Sequence, residues 1–222
     1  MVETSMCRSR RLTAGLLCLL GLWASGCAAT LPVQVNGYTD PGVAVFFPVG
    51  SRFCVAENPQ APNPLLEREI KAKIERLLTL HGFNLSPCEQ AEYVMLFTYG
   101  IGPGAARTVI SPEWSLGVGA GRFWHGGYVF FWPGFTTYST AALYDRWVLL
   151  NVVAGRDYRE KRTSRPLWVG EARSSGIVAD LRRAVDPLLV AAFQQLGRNT
   201  GKLLETEVRE DDPRLMDLKR LR

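Results

Sequence analysis

The chain contains 222 residues, of which 47% are hydrophobic and 21% are charged, and its formal net charge is +5. These are the proportions of an ordinary globular protein, so they exclude wholesale disorder, a coiled-coil rod and a membrane protein with several spans. Only two histidines occur, His81 and His125, which limits the metal and acid–base chemistry that the chain can support.

The N-terminal segment has the pattern of an export signal. A start with three arginines precedes an apolar run at 12–23, which is too short for a membrane-spanning helix of about 20 residues. Small residues at 24–26 then lead directly into Cys27. This arrangement resembles the lipobox of bacterial lipoproteins, in which cleavage before the cysteine is accompanied by its acylation. We predict a signal peptide at 1–26 and lipid attachment at Cys27; the alternative is an ordinary signal peptide with an incidental cysteine.

The same resemblance predicts where the protein lies and what it contacts. Ala28, rather than an aspartate, follows Cys27, which by the sorting rules of such lipoproteins implies the outer membrane, with the protein facing the periplasm. Removing 1–26 leaves 23 basic and 20 acidic residues, so the net charge falls to +3. A nucleic-acid-binding protein is expected to concentrate basic residues on one face. We therefore expect the membrane as a partner through Cys27, a further envelope protein as a second partner, and no nucleic acid.

Two cysteines remain outside the signal segment and the lipidation site. In an oxidising periplasm, Cys54 and Cys88 are a plausible disulfide pair, and we predict that they are joined. The prediction requires the strand that holds Cys54 to lie beside the segment that follows the first helix. The alternative is two buried free thiols. Metal binding by this pair is not expected, because there is no CxxC motif and no histidine pair nearby.

The first half of the mature chain has one clear helix. Small, polar and helix-breaking residues at 27–42 predict a flexible tether. Short apolar runs at 43–49 and 51–56 predict strands. The helix begins at Asn63 and Pro64, carries apolar residues three and four positions apart, and stops at Gly82. Strand-like segments follow at 83–86 and 91–101.

The segment 100–135 interrupts this pattern with nine glycines in 36 positions. It is also rich in aromatic residues, which we predict to form an exposed or half-exposed patch that contacts a partner protein or the bilayer interface. The residues of this candidate interaction surface are Trp124, Phe130, Phe131 and Trp132. The alternative is a wide hairpin whose aromatic side chains cover the core.

The second half predicts a hairpin followed by a helix. A long strand at 138–153 precedes its hairpin partner at 167–173, and a second amphipathic helix at 181–196 contains Pro187, which predicts a kink or a fresh start. Whether 202–209 is strand or helix stays open, and 210–222 is predicted to be a charged, loosely held tail. We therefore predict one α+β domain at 43–209, with two layers: two main amphipathic helices packed on one face of a largely antiparallel sheet.

Several short motifs together resemble one family. They are Asn63-Pro64, His81-Gly82-Phe83, Ala91-Glu92-Tyr93 and the LWVGEA sequence at 167–172. With the cysteine of the lipobox, they look like the bacterial envelope lipoproteins grouped as domain of unknown function 4136. The resemblance covers roughly 43–209. It implies an envelope α/β domain and supplies no catalytic residues.

The common catalytic signatures do not occur. The sequence has no GxSxG, HExxH or CxxCH motif, the glycines at 117–121 lack the third glycine of GxGxxG, and GRNTGK at 197–202 is one residue short of a phosphate loop. We expect a non-catalytic binding or scaffolding role, with no cofactor and no metal. The alternative is a small periplasmic hydrolase that uses His125 together with an acid and a nucleophile.

Overall fold

The structure is a computed structural model, and the part of the chain that it describes leaves out several segments. The described residues are 29–42, 47–104, 107–111, 114–119, 128–133, 137–141, 143–160 and 165–221, with only the backbone described between 107 and 141. The helices are α1 (Pro64–Leu80), α2 (Gly155–Arg159), α3 (Leu181–Phe193) and α4 (Pro213–Lys219). The strands are β1 (Thr30–Thr39), β2 (Arg52–Ala56), β3 (Asn84–Leu85), β4 (Tyr93–Pro103), β5 (Arg107–Ser111), β6 (Trp114–Gly119), β7 (Tyr128–Pro133), β8 (Thr137–Ala141), β9 (Tyr144–Ala154), β10 (Trp168–Gly176) and β11 (Leu204–Arg209).

Seven strands form one mixed sheet in the order β11-β1-β10-β9-β4-β2-β3. The four pairs from β11 to β4 are antiparallel. β2 is parallel to both β3 and β4, because α1 carries the chain from β2 across one face of the sheet. The α+β fold class and the largely antiparallel sheet are therefore confirmed.

The main core lies between this sheet and the layer of α1 and α3. Alternate residues on the strands point toward the helices, such as Val148, Leu150 and Val152 on β9, and all three are buried. Both helices begin as predicted. The side chain of Asn63 accepts a hydrogen bond from the Leu66 amide at 3.1 Å, and Asp180 caps α3. α3 continues through Pro187, which removes one hydrogen bond of the helix without ending it.

The LWVGEA motif is part of this core. Trp168 is fully buried, and its indole N–H donates to the carbonyl oxygen of Arg198 at 3.1 Å. Its ring lies over Gly170, where a Cβ atom would collide with the ring. Gly170 pairs with Gly37 on β1, and a Cβ at Gly37 would collide with the Arg198 carbonyl. The motif therefore has a packing role in this protein.

The predicted domain boundaries at 43 and 209 were wrong. Residues 30–39, predicted as a tether, form β1, which lies between β10 and β11 with Val33 and Val35 buried. Within the segment predicted as a loose tail, α4 packs Leu215 and Leu218 into the core. Both segments carry only two buried apolar residues, so their structure depends on strand pairing and docking rather than on a strong local pattern. The undecided segment at 202–209 contains strand β11.

The glycine-rich insert lies between β4 and β9 along the chain. β5 pairs with β8, and β6 pairs with β7, both antiparallel. The segment predicted as one strand at 138–153 is accordingly two strands, β8 and β9, which belong to different sheets.

Candidate functional site

A cleft of about 470 Å³ opens on the helix-facing side of the sheet, where α3 begins. Its volume lies within the range of about 300–1,000 Å³ that is usual for small-molecule sites. Val33 on β1, Ser174 on β10 and Arg146 on β9 line it from three neighbouring strands of the sheet. The other lining residues are Leu31, Pro32, Ser175, Val178, Asp180, Arg183, Ala184, Pro187, Glu210, Leu215 and Lys219.

Arg146 is the most unusual residue in the cleft. It precedes Val148 by two positions, so it points toward the helices, where every other such residue of β9 is apolar. Its guanidinium lies against Gly176, where a Cβ atom would overlap it. The Nε atom is buried and has no hydrogen-bond partner among the described residues. Burial lowers the pKa of Arg146 below its ordinary value, against the opposing effect of Asp145 and Asp180. The group nevertheless stays protonated at neutral pH.

The carboxylates around Arg146 are engaged elsewhere. One carboxylate oxygen of Asp180 accepts a hydrogen bond from the backbone N–H of Arg183 at 3.3 Å. The other forms an ion pair with the Nε of Arg183, also at 3.3 Å. Asp145 accepts a hydrogen bond from the hydroxyl of Ser175 at 2.5 Å. The cleft is lined by the cations Arg146, Arg183 and Lys219 and by the acids Asp180 and Glu210. The lining therefore carries a net positive charge beside an apolar wall.

Another cation, which is fully buried, lies between α1 and α3. Lys73 is completely buried and contacts Glu69 at 2.6 Å and Asp186 at 2.7 Å. Arg182 extends this cluster toward the surface through its Nε, 2.8 Å from the second oxygen of Glu69. Because two carboxylates compensate the buried ammonium, the cluster joins the two helices.

The predicted disulfide between Cys54 and Cys88 is confirmed, so these residues are not free thiols. The two cysteines are bonded, and their Cα atoms are 5.0 Å apart. β2, which holds Cys54, lies beside β3 and β4, so the ends of the strand–helix–strand unit meet as the prediction required. The bond belongs to a small second core with Ala91, Val94 and Val153, separate from the main core.

His81 has a structural position. It is the C-cap residue of α1, its Nδ1 lies 2.8 Å from the carbonyl oxygen of Leu77, and its ring packs 5.4 Å from that of Phe193. Gly82 follows with a φ of +83° and ends the helix. His125, the residue of the hydrolase alternative, lies outside the described residues.

No described contact places the remaining predicted site residues in the cleft. Cys27 and Trp124 lie outside the described residues. Phe130, Phe131 and Trp132 lie on β7, where their backbone partners on β6 are Gly117, Leu116 and Ser115, and their side chains are not described. Lipidation at Cys27 and the aromatic patch therefore stay predictions.

Among the described residues, no helix combines the length and apolar character needed to cross a bilayer. No group of three or more histidine, cysteine, aspartate or glutamate side chains in that part of the chain is arranged to hold a metal ion.

The cleft was not predicted from the sequence. One signal was present, since Arg146 shares the core-facing side of β9 with the apolar residues Val148, Leu150 and Val152. The other lining residues come from β1, the start of α3 and α4, and only the tertiary fold brings these segments together.

Comparisons with known proteins identify the fold but not a family. No protein-family model and no curated protein matches the sequence. A PDZ domain protein from Parabacteroides distasonis has a similar structure, with 14% identity and a TM-score of 0.51. The match covers 87% of this chain and 42% of that one, so this chain spans less than half the length of that protein.

Two further solved structures show a weaker similarity. A PelC dodecamer from Paraburkholderia phytofirmans has 11% identity and a TM-score of 0.39, with 76% of this chain and 99% of that chain covered. A DUF4136 family protein from Bacteroides thetaiotaomicron has 14% identity and a TM-score of 0.37, with 72% and 91% covered. At this level, similarity indicates nothing about activity or partners.

Proposed function

We propose that this chain is a lipid-anchored protein of the bacterial envelope whose role is to bind rather than to catalyse. Acyl chains on Cys27 hold it at the periplasmic face of the outer membrane. The proposal joins two independent observations, one on the compartment and one on the site. The resemblance of the short motifs to envelope lipoproteins of domain of unknown function 4136 agrees with it.

The signal segment and the disulfide together support this compartment. The apolar run at 12–23 and the small residues before Cys27 have the arrangement of a lipobox. Cys54 and Cys88 are bonded, and disulfides persist in oxidising compartments such as the periplasm, whereas cytosolic thiols are kept reduced. A protein that is exported and then acylated meets both conditions.

The binding role rests on one observation, the cleft at the start of α3. It joins an apolar wall to a half-buried guanidinium whose Nε has no hydrogen-bond partner among the described residues. Such a site holds an anionic group by hydrogen bonds and charge. The candidate aromatic patch of Trp124, Phe130, Phe131 and Trp132 supplies a second contact, with an envelope protein or the bilayer interface.

Metabolic labelling tests the anchor. Cells that express the full chain are grown with a labelled fatty acid, and we expect label on the wild-type protein and none on Cys27→Ala. The Cys54–Cys88 peptide, mapped without reduction, serves as the control, because it shows that each variant reached the oxidising compartment. A Cys27→Ala protein that still carries label contradicts the proposal, as does an exported wild-type protein without label.

A further inference from the structure

We propose that the cleft binds a membrane phospholipid with a net negative headgroup, and that Arg146 is the principal ligand of its phosphate. The proposed function supplies the source of this ligand, the membrane to which Cys27 is anchored. The binding chemistry itself depends only on the residues of the cleft.

The charge of the cleft selects an anion. Arg146, Arg183 and Lys219 exceed the acids Asp180 and Glu210 by one positive charge. Arg183 is 76% exposed at its side chain and paired with Asp180, so it belongs to the rim. Arg146 lies deeper, and its buried Nε has no acceptor among the described residues. A guanidinium presents its donors in a planar fork that matches phosphate oxygens, so a bound phosphate would supply the acceptor.

The rest of the lining selects an apolar body next to the anion. Leu31, Pro32 and Val178 line the cleft with exposed apolar side chains, and Val178 lies near its opening. A small polar anion such as inorganic phosphate would leave these residues in contact with water. A headgroup with the beginning of an acyl chain covers them, and removing their apolar surface from water favours binding.

The position of the cleft along the chain brings it to the membrane. Leu31 and Pro32 line it, and Leu31 follows Cys27 by four residues. Four residues span at most about 14 Å when fully extended. An acylated Cys27 therefore holds this side of the domain next to the lipid headgroups.

A titration of the full chain, held in a nonionic detergent, tests the proposal. The probes are dihexanoyl phosphatidylglycerol, which is anionic, dihexanoyl phosphatidylcholine, which is zwitterionic, and glycerol phosphate, which has no acyl chain. Binding is followed by calorimetry. We expect the anionic lipid to bind more tightly than either of the other probes, because only it satisfies both the charge and the apolar wall.

Three variants connect this binding to the cleft. Arg146→Gln is expected to weaken binding of the anionic lipid about 10- to 100-fold, the loss of a hydrogen bond to a charged group. Val178→Asp places a negative charge at an exposed position of the opening and should also weaken it. The matched control is Arg173→Gln, which removes the same charge from an exposed position of the neighbouring strand and should leave affinity within about twofold.

The outcomes are distinct. Equal affinity for the two lipids overturns the proposal, and so does an Arg146→Gln protein that binds like the wild type. If Arg146→Gln fails to fold, judged by its thermal transition, an unaltered affinity of Val178→Asp overturns it instead. Failure of the anchor is measured separately, because a protein without label on Cys27 can still bind the lipid in this titration.

Discussion

Two cations on the helix-facing side of the sheet have opposite surroundings. Lys73 is completely buried between α1 and α3, with carboxylate oxygens at 2.6 and 2.7 Å. Arg146, on β9, is only half-buried where the cleft meets the start of α3. Its buried Nε lacks a hydrogen-bond partner among the described residues. The first cation is enclosed and compensated, whereas the second lines an open cleft.

The difference separates a charge that holds the fold from a charge that is available to a ligand. Removing a buried ion from water is costly, and the cost is recovered only when partners surround it. Around Lys73 the recovery comes from within the chain, so the cluster fixes the position of the two helices. Around Arg146 the nearest carboxylates are engaged by Arg183 and Ser175, so an external anion can complete the site.

The largest expected effect on the free energy of unfolding comes from removing the enclosed cation, Lys73. Lys73→Met leaves Asp186 buried without its ammonium partner, so the free energy of unfolding should fall by about 3–5 kcal/mol. Denaturant unfolding measures it. Lys71→Met is the control, because Lys71 pairs with Glu57 at the surface and should cost less than about 1 kcal/mol. Equal losses in the two variants would mean that the buried cluster does not hold the helices.

A smaller loss is expected when the enclosed carboxylate becomes neutral. Asp186→Asn keeps the shape of the side chain, and Lys73 retains Glu69 at 2.6 Å. We expect a loss of about 1.5–3 kcal/mol in the free energy of unfolding, the usual range for a hydrogen bond to a charged group. A double-mutant cycle with Lys73→Met measures the coupling, which should be clearly different from zero.

The open cation should contribute little to stability. Arg146→Met removes a half-buried charge and leaves no carboxylate without a partner, since Asp180 keeps Arg183 and Asp145 keeps Ser175. The free energy of unfolding should change by less than about 1 kcal/mol. A loss as large as that of Lys73→Met would mean that Arg146, like Lys73, holds the fold together.

The smallest effect concerns α4, which forms the outer wall of the cleft. Hydrogen bonds from Arg214 and Arg76 lower the pKa values of Asp212 and Asp217, respectively. Both pKa values are lower in the folded state than in the unfolded state, so the two ionised carboxylates stabilise the fold above the ordinary carboxyl pKa of about 4. This stabilisation disappears as the pH falls through the lowered pKa values. Methyl NMR signals of Leu215 and Leu218 should therefore report loosening of α4 in acid. Asp212→Asn should loosen it already at neutral pH and reduce the pH dependence.

Several elements could be predicted because their local signals were strong. α1 has a capping Asn63, a proline at its first position and a glycine stop at Gly82, so its range was predicted closely. The disulfide followed from counting cysteines and from the order of strand, helix and strand. β1 and α4 could not be predicted, since each carries only two buried apolar residues and is held by its neighbours.

The cleft was harder to predict than any single element. Three of its lining residues are Leu31, Arg146 and Leu215, and each lies more than sixty residues from the next along the chain. Nothing local distinguishes Leu31 or Leu215 from ordinary core residues. An arginine on the core-facing side of β9 was a visible signal, but its meaning depends on whether a carboxylate from another element reaches it.

The sequence by itself therefore determined the features that arise within a few residues: the helix ends and the alternation of the strands. The tertiary structure alone decided which charges are enclosed and which remain open. The physical reason is that a cap or an alternating pattern is completed by neighbours in the chain, whereas the cost of burying a charge depends on partners that are distant in sequence. Lys73 finds such partners in Glu69 and, on another helix, in Asp186, while the cleft leaves Arg146 available to an anion.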